Sequence, residues 1–397
     1  MSADEADDLD GEEPVEEEEP VDPVAEARRI RRRLGGALAV LVLAVAGLGL
    51  AFPGRQVRPG AGEFQAGSTD PIQAALPVLR AFVEHARGLT FAGPVTVTVL
   101  DPASFAKVAA EPLPEADGAA PPDWAATDHA LRLAHLAPGG TTGDATAFYS
   151  YTRHQMYLRD GAFDAFARAV LVHELTHALQ DQRFNLLALA QRTSRNADRA
   201  RALTALVEGD ATRVELAYVT SRPAAEQRQI RARYDYAPRP SDYAGNVRYF
   251  PYTYGRDFVT GLAADGGAAA VDAAFGNPPT STAQIIDPRL YARAVQPVGV
   301  RLPQAGGAVV DSGTLGRFGL AMLSTGGRRV LNAGASSAWQ GDAYVTFRSG
   351  RGLCTRGNVV LDGTNAQQQL LTDLSRRPGK RFVTTFGGDT VRFEFCT

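Results

Sequence analysis

The sequence predicts an α+β fold held outside a membrane by a single transmembrane helix. Three features carry this expectation: an uncharged run at Leu34–Phe52, two long helical patterns at Ala165–Gln182 and Asn196–Thr220, and a C-terminal part that alternates strand-like and helical segments.

Residues 1–27 hold thirteen acids, no base and no aromatic, and are punctuated by proline. Such a segment buries too little apolar surface to fold, so it reads as a disordered cytoplasmic tail without a specific partner. Arg28, Arg29, Arg31, Arg32 and Arg33 follow, which leaves 31 acids and 36 bases in the rest of the chain. That mild excess forms no basic stripe, and a nucleic-acid partner is excluded on this ground. Leu34–Phe52 is 19 residues long. As a helix it spans roughly 28 Å, close to a bilayer core. The arginines mark its N-terminal side as cytoplasmic and place the remainder outside the cell. A cleaved signal peptide and a buried core helix are the competing readings. The long acidic leader and the lack of a small-x-small cleavage site favour an uncleaved single-pass anchor across residues 28–52.

Residues 53–69 are rich in Gly and Pro and read as a linker. A first domain is expected over residues 70–300 and a smaller α+β subdomain over 301–397. Thr69 or Asp70 can cap a helix with Pro71 at its first position, and that helix should run to Arg87. Pro94–Leu100 alternates with period two and predicts a strand; Pro112–Pro122 predicts a surface loop. Thr146–Tyr151 and His154–Arg159 predict two strands joined by a tight turn.

The next stretch is Val170-Leu-Val-His-Glu-Leu-Thr-His-Ala-Leu-Gln-Asp-Gln182. Ala165–Gln182 lacks Gly and Pro and is apolar nearly all round, as expected of a core helix. His173 and His177 are four apart and so share one face. Two imidazoles and a carboxylate in an apolar helix need a partner, because buried polar groups are costly without one. A zinc ion supplies it, with Glu174 placed to act as general base on the water that zinc activates. A chance match, with both histidines hydrogen-bonded in the core, is the alternative.

A catalytic zinc takes a third protein ligand. The position six residues after His177 is Arg183, and Gln180 stands where the three-histidine zincins have Gly. The candidate is instead Glu208, in the apolar run Ala205-Leu-Val-Glu-Gly-Asp-Ala211. An ion pair from Glu208 to Arg213 or Arg201 is the competing reading. Gly209 costs about 1 kcal/mol in a helix relative to Ala, so a close neighbour is expected there. Asp181 and Asp210 are candidates to orient a ligand histidine through its other ring nitrogen; ordinary surface or capping roles compete.

At these residues the chain resembles the HExxH zincin metallopeptidases, specifically the gluzincin branch with a glutamate ligand. The wider context, His-Glu-Leu-Thr-His-Ala-Leu-Gln-Asp-Gln with a later Glu-Gly-Asp-Ala, resembles a group of bacterial membrane-anchored envelope proteins. The resemblance implies a zincin-like core, a Zn2+ cofactor held by His173, His177 and Glu208, and hydrolysis of peptide or protein substrates. It also implies an edge strand above the metal helix on which substrate pairs, for which His154–Arg159 is the candidate; His154 itself reads as an ordinary strand residue. The gap from His177 to Glu208 is longer than in the best-known gluzincins. Ala283 and Asp287 stand where the resemblance leads one to expect Glu and His.

Ser221–Arg239 is polar and rich in arginine. In Tyr249–Phe258, Tyr252 or Tyr254 can stabilise an oxyanion, with core packing as the alternative. Near the C-terminus Thr314–Leu323 predicts a helix, and Asp342–Arg348, Gly352–Leu361, Asn365–Arg376, Arg381–Phe386 and Thr390–Phe395 predict a ββαββ unit. The two cysteines, Cys354 and Cys396, fall on its strands. Their separation argues against a metal role. Outside the membrane a Cys354–Cys396 disulfide is permitted, with two separate buried thiols as the alternative. The function expected from these readings is a membrane-anchored, extracytoplasmic zinc metallopeptidase. The other class is a catalytically silent zincin-like scaffold or binding protein of the cell envelope.

Overall fold

The computed structural model describes residues 70–109, 146–193, 196–234, 243–327, 334–350 and 352–397. The expected tail, transmembrane helix, linker and Pro112–Pro122 loop lie outside these residues. Among the described residues no helix is long and apolar enough to cross a membrane.

The architecture is α+β, with two sheets. Helix α1 is Asp70–Arg87. Ile72, Leu76, Leu79 and Val83 are buried at spacings of four, three and four, which forms one apolar stripe against the core. Strand β1 (Thr96–Leu100) and helix α2 (Pro102–Ala109) follow. Strands β2 (Ala147–Ser150) and β3 (Gln155–Arg159) form the expected hairpin, in the order β1-β3-β2. Because β1 pairs in parallel with the far side of β3, β3 is the central strand. The expectation that His154–Arg159 provides the open edge is therefore corrected: among the described residues β2 is the edge beside the motif helix. His154 lies in the turn, in left-handed backbone (φ 52°), and not in the strand.

Helix α3 (Ala165–Phe184) carries the motif. Asp164 caps its start by accepting from the Ala167 amide at 2.9 Å, and Asn185 ends it in left-handed conformation. Every residue from Ala165 to Asp181 except Arg168 is buried. Short α4 (Leu186–Thr193) leads to α5 (Ala197–Thr220), which Asn196 caps by accepting from the Arg199 amide. Helices α6 (Ala224–Arg233) and α7 (Tyr243–Phe250) run into a π-helical turn, Pro251–Gly255, and then α8 (Arg256–Gly276). The expected close approach at Gly209 is present. A Cβ there would overlap the Gly255 carbonyl, and one on Gly255 would overlap the Ala205 carbonyl. Helix α5 and the π turn thus touch backbone to backbone.

Helices α9 (Thr282–Ile286) and α10 (Pro288–Ala292) precede strand β4 (Val309–Gly313) and helix α11 (Gly316–Thr325). Then come β5 (Trp339–Ser349), β6 (Gly352–Leu361), α12 (Thr364–Ser375), β7 (Lys380–Phe386) and β8 (Thr390–Cys396). The sheet order is β4-β5-β6-β8-β7. The expected ββαββ unit is present and gains β4, which pairs with β5. Its sequence, Val-Val-Asp-Ser-Gly, is half turn-forming and gives no strand signal. Cys354 and Cys396 oppose each other on β6 and β8, with Cα atoms 4.1 Å apart, and form the expected disulfide.

Helix α11 joins the two layers. Phe318, Ala321 and Met322 pack into the first core, and Leu320 and Leu323 into the second. Two buried acids tie the junction. Asp342 accepts from the Leu315 amide at 2.7 Å, the Gly316 amide at 2.9 Å and Trp339 Nε1 at 2.8 Å. Asp198, at the start of α5, accepts from the Thr282 amide at 3.1 Å and from its hydroxyl. Gly316 has φ +71°, and a Cβ there would overlap the Asp198 carboxylate.

Burial pushes Asp198 up to about 7 and Asp342 up to about 6. A folded pKa above the unfolded value means that the folded chain binds the extra proton. Stability from these groups is therefore complete below about pH 4 and is lost as pH rises through 6 to 7. Denaturant unfolding from about pH 5 to pH 8 should show falling stability, and Asp198→Asn should flatten that slope; an unaltered slope would place its origin elsewhere. Separately, Gly209→Ala should destabilise the chain by about 1–3 kcal/mol in the same assay, because neither backbone has room to retreat.

Candidate metal centre

The crossing of α3 and α5 brings His173, His177 and Glu208 together. The imidazole rings meet edge to face with centroids 4.7 Å apart. Glu208 Oε2 lies 3.2 Å from His173 Nε2 and 3.5 Å from His177 Nε2. One ligand atom from each of the three residues lies within 4.8 Å of the others. Glu208 is 1% exposed and pairs with neither Arg213 nor Arg201; Arg213 pairs with Asp210 instead.

The other ring nitrogens are held from behind. His173 Nδ1 lies 3.0 Å from Glu215 Oε2, and the carboxylate accepts a hydrogen bond from it. His177 Nδ1 lies 3.0 Å from Gln180 Oε1. The Gln180 amide has one workable orientation, because its Nε2 donates to the Val207 carbonyl and to Asp210 Oδ2, both at 3.0 Å. Turned over, its oxygen would face two acceptors. His177 Nδ1 therefore carries a hydrogen, and its Nε2 faces Glu208. Asp210 is fixed in turn by Arg87 Nε at 2.7 Å and by Arg213 Nη2 at 3.2 Å. Arg87 also donates to Asp272 on α8 at 2.7 Å.

Gln180 and Glu215 were not foreseen, and their signal was spacing: Gln180 follows His177 by three residues, and Glu215 follows Glu208 by seven, two turns along one face. The expected direct role for Asp181 and Asp210 is corrected. Asp210 acts through Gln180. Asp181 accepts from the Tyr149 hydroxyl at 2.9 Å and the Leu186 amide at 3.0 Å, and lies 2.7 Å from His154 Nδ1.

Glu174 faces the open edge of the small sheet, where its Oε2 accepts the Tyr149 amide of β2 at 2.9 Å. Burial pushes its carboxyl up to about 7, with the two histidines opposing. Burial would also raise Glu208, but His177 and His173 hold it down to about 2. Burial would lower both histidines; Glu208 and Glu215 outweigh it at His173, and Glu208 at His177, so both are raised.

Tyr252 comes from the π turn. Its ring centroid lies 6.2 Å from that of His173, and its hydroxyl is hydrogen-bonded to Glu208. Burial, with the charges of Glu208 and Glu174, raises it well above the usual phenol value and keeps it a donor. Tyr254 does not join the cluster. It stacks on Phe250 with centroids 5.5 Å apart, because residues two apart on a helical turn face different ways. The expectation for Tyr254 is thus corrected in favour of Tyr252. Ala283 is buried in the second core, and Asp287 pairs with Arg289; neither reaches the cluster.

These groups fit a divalent cation. Two imidazole nitrogens and one carboxylate converge, and Glu208 Oε1 is buried without a hydrogen-bond partner. The donor set is two nitrogens and one oxygen, the number that a catalytic zinc takes. Comparison of the chain with protein-family models, with curated proteins and with solved structures finds no match.

The held ring nitrogens set an expectation for affinity. Gln180→Leu should weaken binding of added zinc by about 10- to 100-fold in chelator competition, with folding intact. Equal affinity would reduce the amide to a packing contact.

Proposed function

We propose that the chain is a membrane-anchored, extracytoplasmic zinc metallopeptidase with a zincin-like core of the gluzincin type. The observation that carries this reading is the convergence of His173 Nε2, His177 Nε2 and the Glu208 carboxylate beside Glu174. His173, His177 and Glu208 would hold the ion. When bound, zinc supplies a Lewis acid that polarises a scissile carbonyl and acidifies water.

The chain's own groups do the rest. Glu174, tuned by burial to about 7, takes the proton from the attacking water and passes it to the leaving amine. Tyr252, kept protonated, would turn its hydroxyl from Glu208 to a developing oxyanion. Strand β2, paired on one side only among the described residues, gives extended substrate an edge for backbone hydrogen bonds. Leu34–Phe52 with its arginine flank supports the anchor, and the disulfide accords with an oxidising compartment outside the cell.

The second reading is a zincin-derived envelope scaffold. It is favoured by Ala283 and Asp287, which give the site no further acid or imidazole. One pair of proteins separates the two. The full chain loaded with zinc should cleave members of a peptide library, and Glu174→Gln should keep its zinc while losing about 10²–10⁴-fold in rate. Zinc retained with no cleavage by the unaltered chain would select the scaffold.

A further inference from the structure

Among the described residues, the metal centre leaves one buried cation unaccounted for. Arg317, in the first turn of α11, is 7% exposed. Its Nε is buried without a hydrogen-bond partner, and among the described residues no carboxylate pairs with it. Arg87 provides an internal comparison. It is also buried, and it has two carboxylates, Asp210 and Asp272, each at 2.7 Å. The buried arginine that positions other groups in this fold, Arg87, is thus given acids of its own, as the cost of desolvating a charge requires.

Burial lowers the pKa of Arg317, and among the described residues the charges of Asp287 and Tyr254 oppose this while that of Arg289 adds to it. Asp287 is already engaged. Its Oδ1 accepts from Arg289 Nε at 2.8 Å and from the Arg289 amide at 3.2 Å, and its Oδ2 accepts from Arg289 Nη2 at 2.9 Å. Asp287 is therefore committed to Arg289, and among the described residues no carboxylate is left to pair with Arg317. Tyr254 belongs to the π turn that carries Tyr252 to the metal ligands. Tyr254 stacks on Phe250, which packs against Phe318, the residue after Arg317, so the turn that carries Tyr252 to the metal ligands also reaches toward the part of α11 that carries Arg317.

We propose that Arg317, with Tyr254 beside it, is an anion subsite that takes a carboxylate of the substrate. A guanidinium presents two parallel N–H donors that match a carboxylate, and burial strengthens such a pair. The carboxylate belongs either to an acidic side chain or to a peptide C-terminus. That it belongs to a substrate rests on the peptidase reading; the anion site itself does not.

The test therefore begins with binding and needs no hydrolysis. Thermal unfolding of the full chain is followed with N-acetylglutamate α-amide, which has a side-chain carboxylate, with N-acetylglutamine, which has a terminal one, and with neutral N-acetylglutamine α-amide. At least one carboxylate should raise the unfolding midpoint, the neutral compound should not, and the effective probe identifies the source of the group. Arg317→Met should unfold at a higher temperature than the unaltered chain without probe, since an unpaired buried charge is removed, and should lose the response to carboxylates. Arg317→Lys, which keeps the charge but not the fork, should bind the effective probe about tenfold or more weakly. A lower midpoint for Arg317→Met without probe would make the arginine a structural partner of Asp287 and overturn the proposal. So would no response of the unaltered chain to either carboxylate, or an equal response in Arg317→Met. If the chain cleaves peptides, its preference for acidic over neutral substrates should collapse in Arg317→Met; absence of cleavage alone bears only on the peptidase reading.

Discussion

A buried layer of charge lies where two apolar helices cross, and much of the surrounding structure serves to satisfy it. Helices α3 and α5 bring Glu174, His173, His177, Glu208 and Glu215 into an interior from which water is largely excluded. Removing one partner from such a set typically costs about 3–5 kcal/mol, because the other stays buried and unpaired. The chain answers by extending the network outward. Gln180 hands the constraint on His177 to Asp210, Asp210 to Arg87 on α1, and Arg87 to Asp272 on α8. Four helices far apart in sequence are thereby tied to one imidazole.

The second constraint is steric. The paired glycines, Gly209 and Gly255, let a helix and a π turn meet without side chains between them. π-helical turns are rare and occur mostly where function needs an altered helical phase. Here the turn sets Tyr252 over the histidines and Tyr254 against Phe250. A regular α-helix would present these residues at a different angle, so the small residues and the tyrosine placement belong to one arrangement.

Much of this was legible in the sequence, for local reasons. The motif helix, its partner around Glu208, the β2–β3 hairpin and the C-terminal strands each follow from periodicity, capping residues and turn residues within a short window. The close contact at Gly209 could be read because a glycine in a helix is unfavourable without a reason. What escaped depends on pairing across long separations. Nothing local indicates that β1 adds in parallel to β3 and so makes β2 the edge. Nothing in Val-Val-Asp-Ser-Gly announces β4. Glu215 looks like an ordinary polar residue until the crossing of the helices gives it an imidazole to hold, and Gln180 until Val207 and Asp210 across the crossing fix its amide. Tyr252 and Tyr254 are equivalent in sequence and are told apart only by the phase of the turn.

The strand order of the C-terminal sheet bears on how the chain comes to be folded. Strand β8 sits between β6 and β7, although both precede it in sequence. Until β8 has been made, β6 keeps one unpaired edge and β7 has no neighbour in the sheet. Long-range strand pairing of this kind is slow, and an open edge invites pairing with other chains. The Cys354–Cys396 bond spans the β6–β8 pair that closes that edge. Oxidation at this position therefore acts as a latch, set only when the last strand of the sheet has found its place.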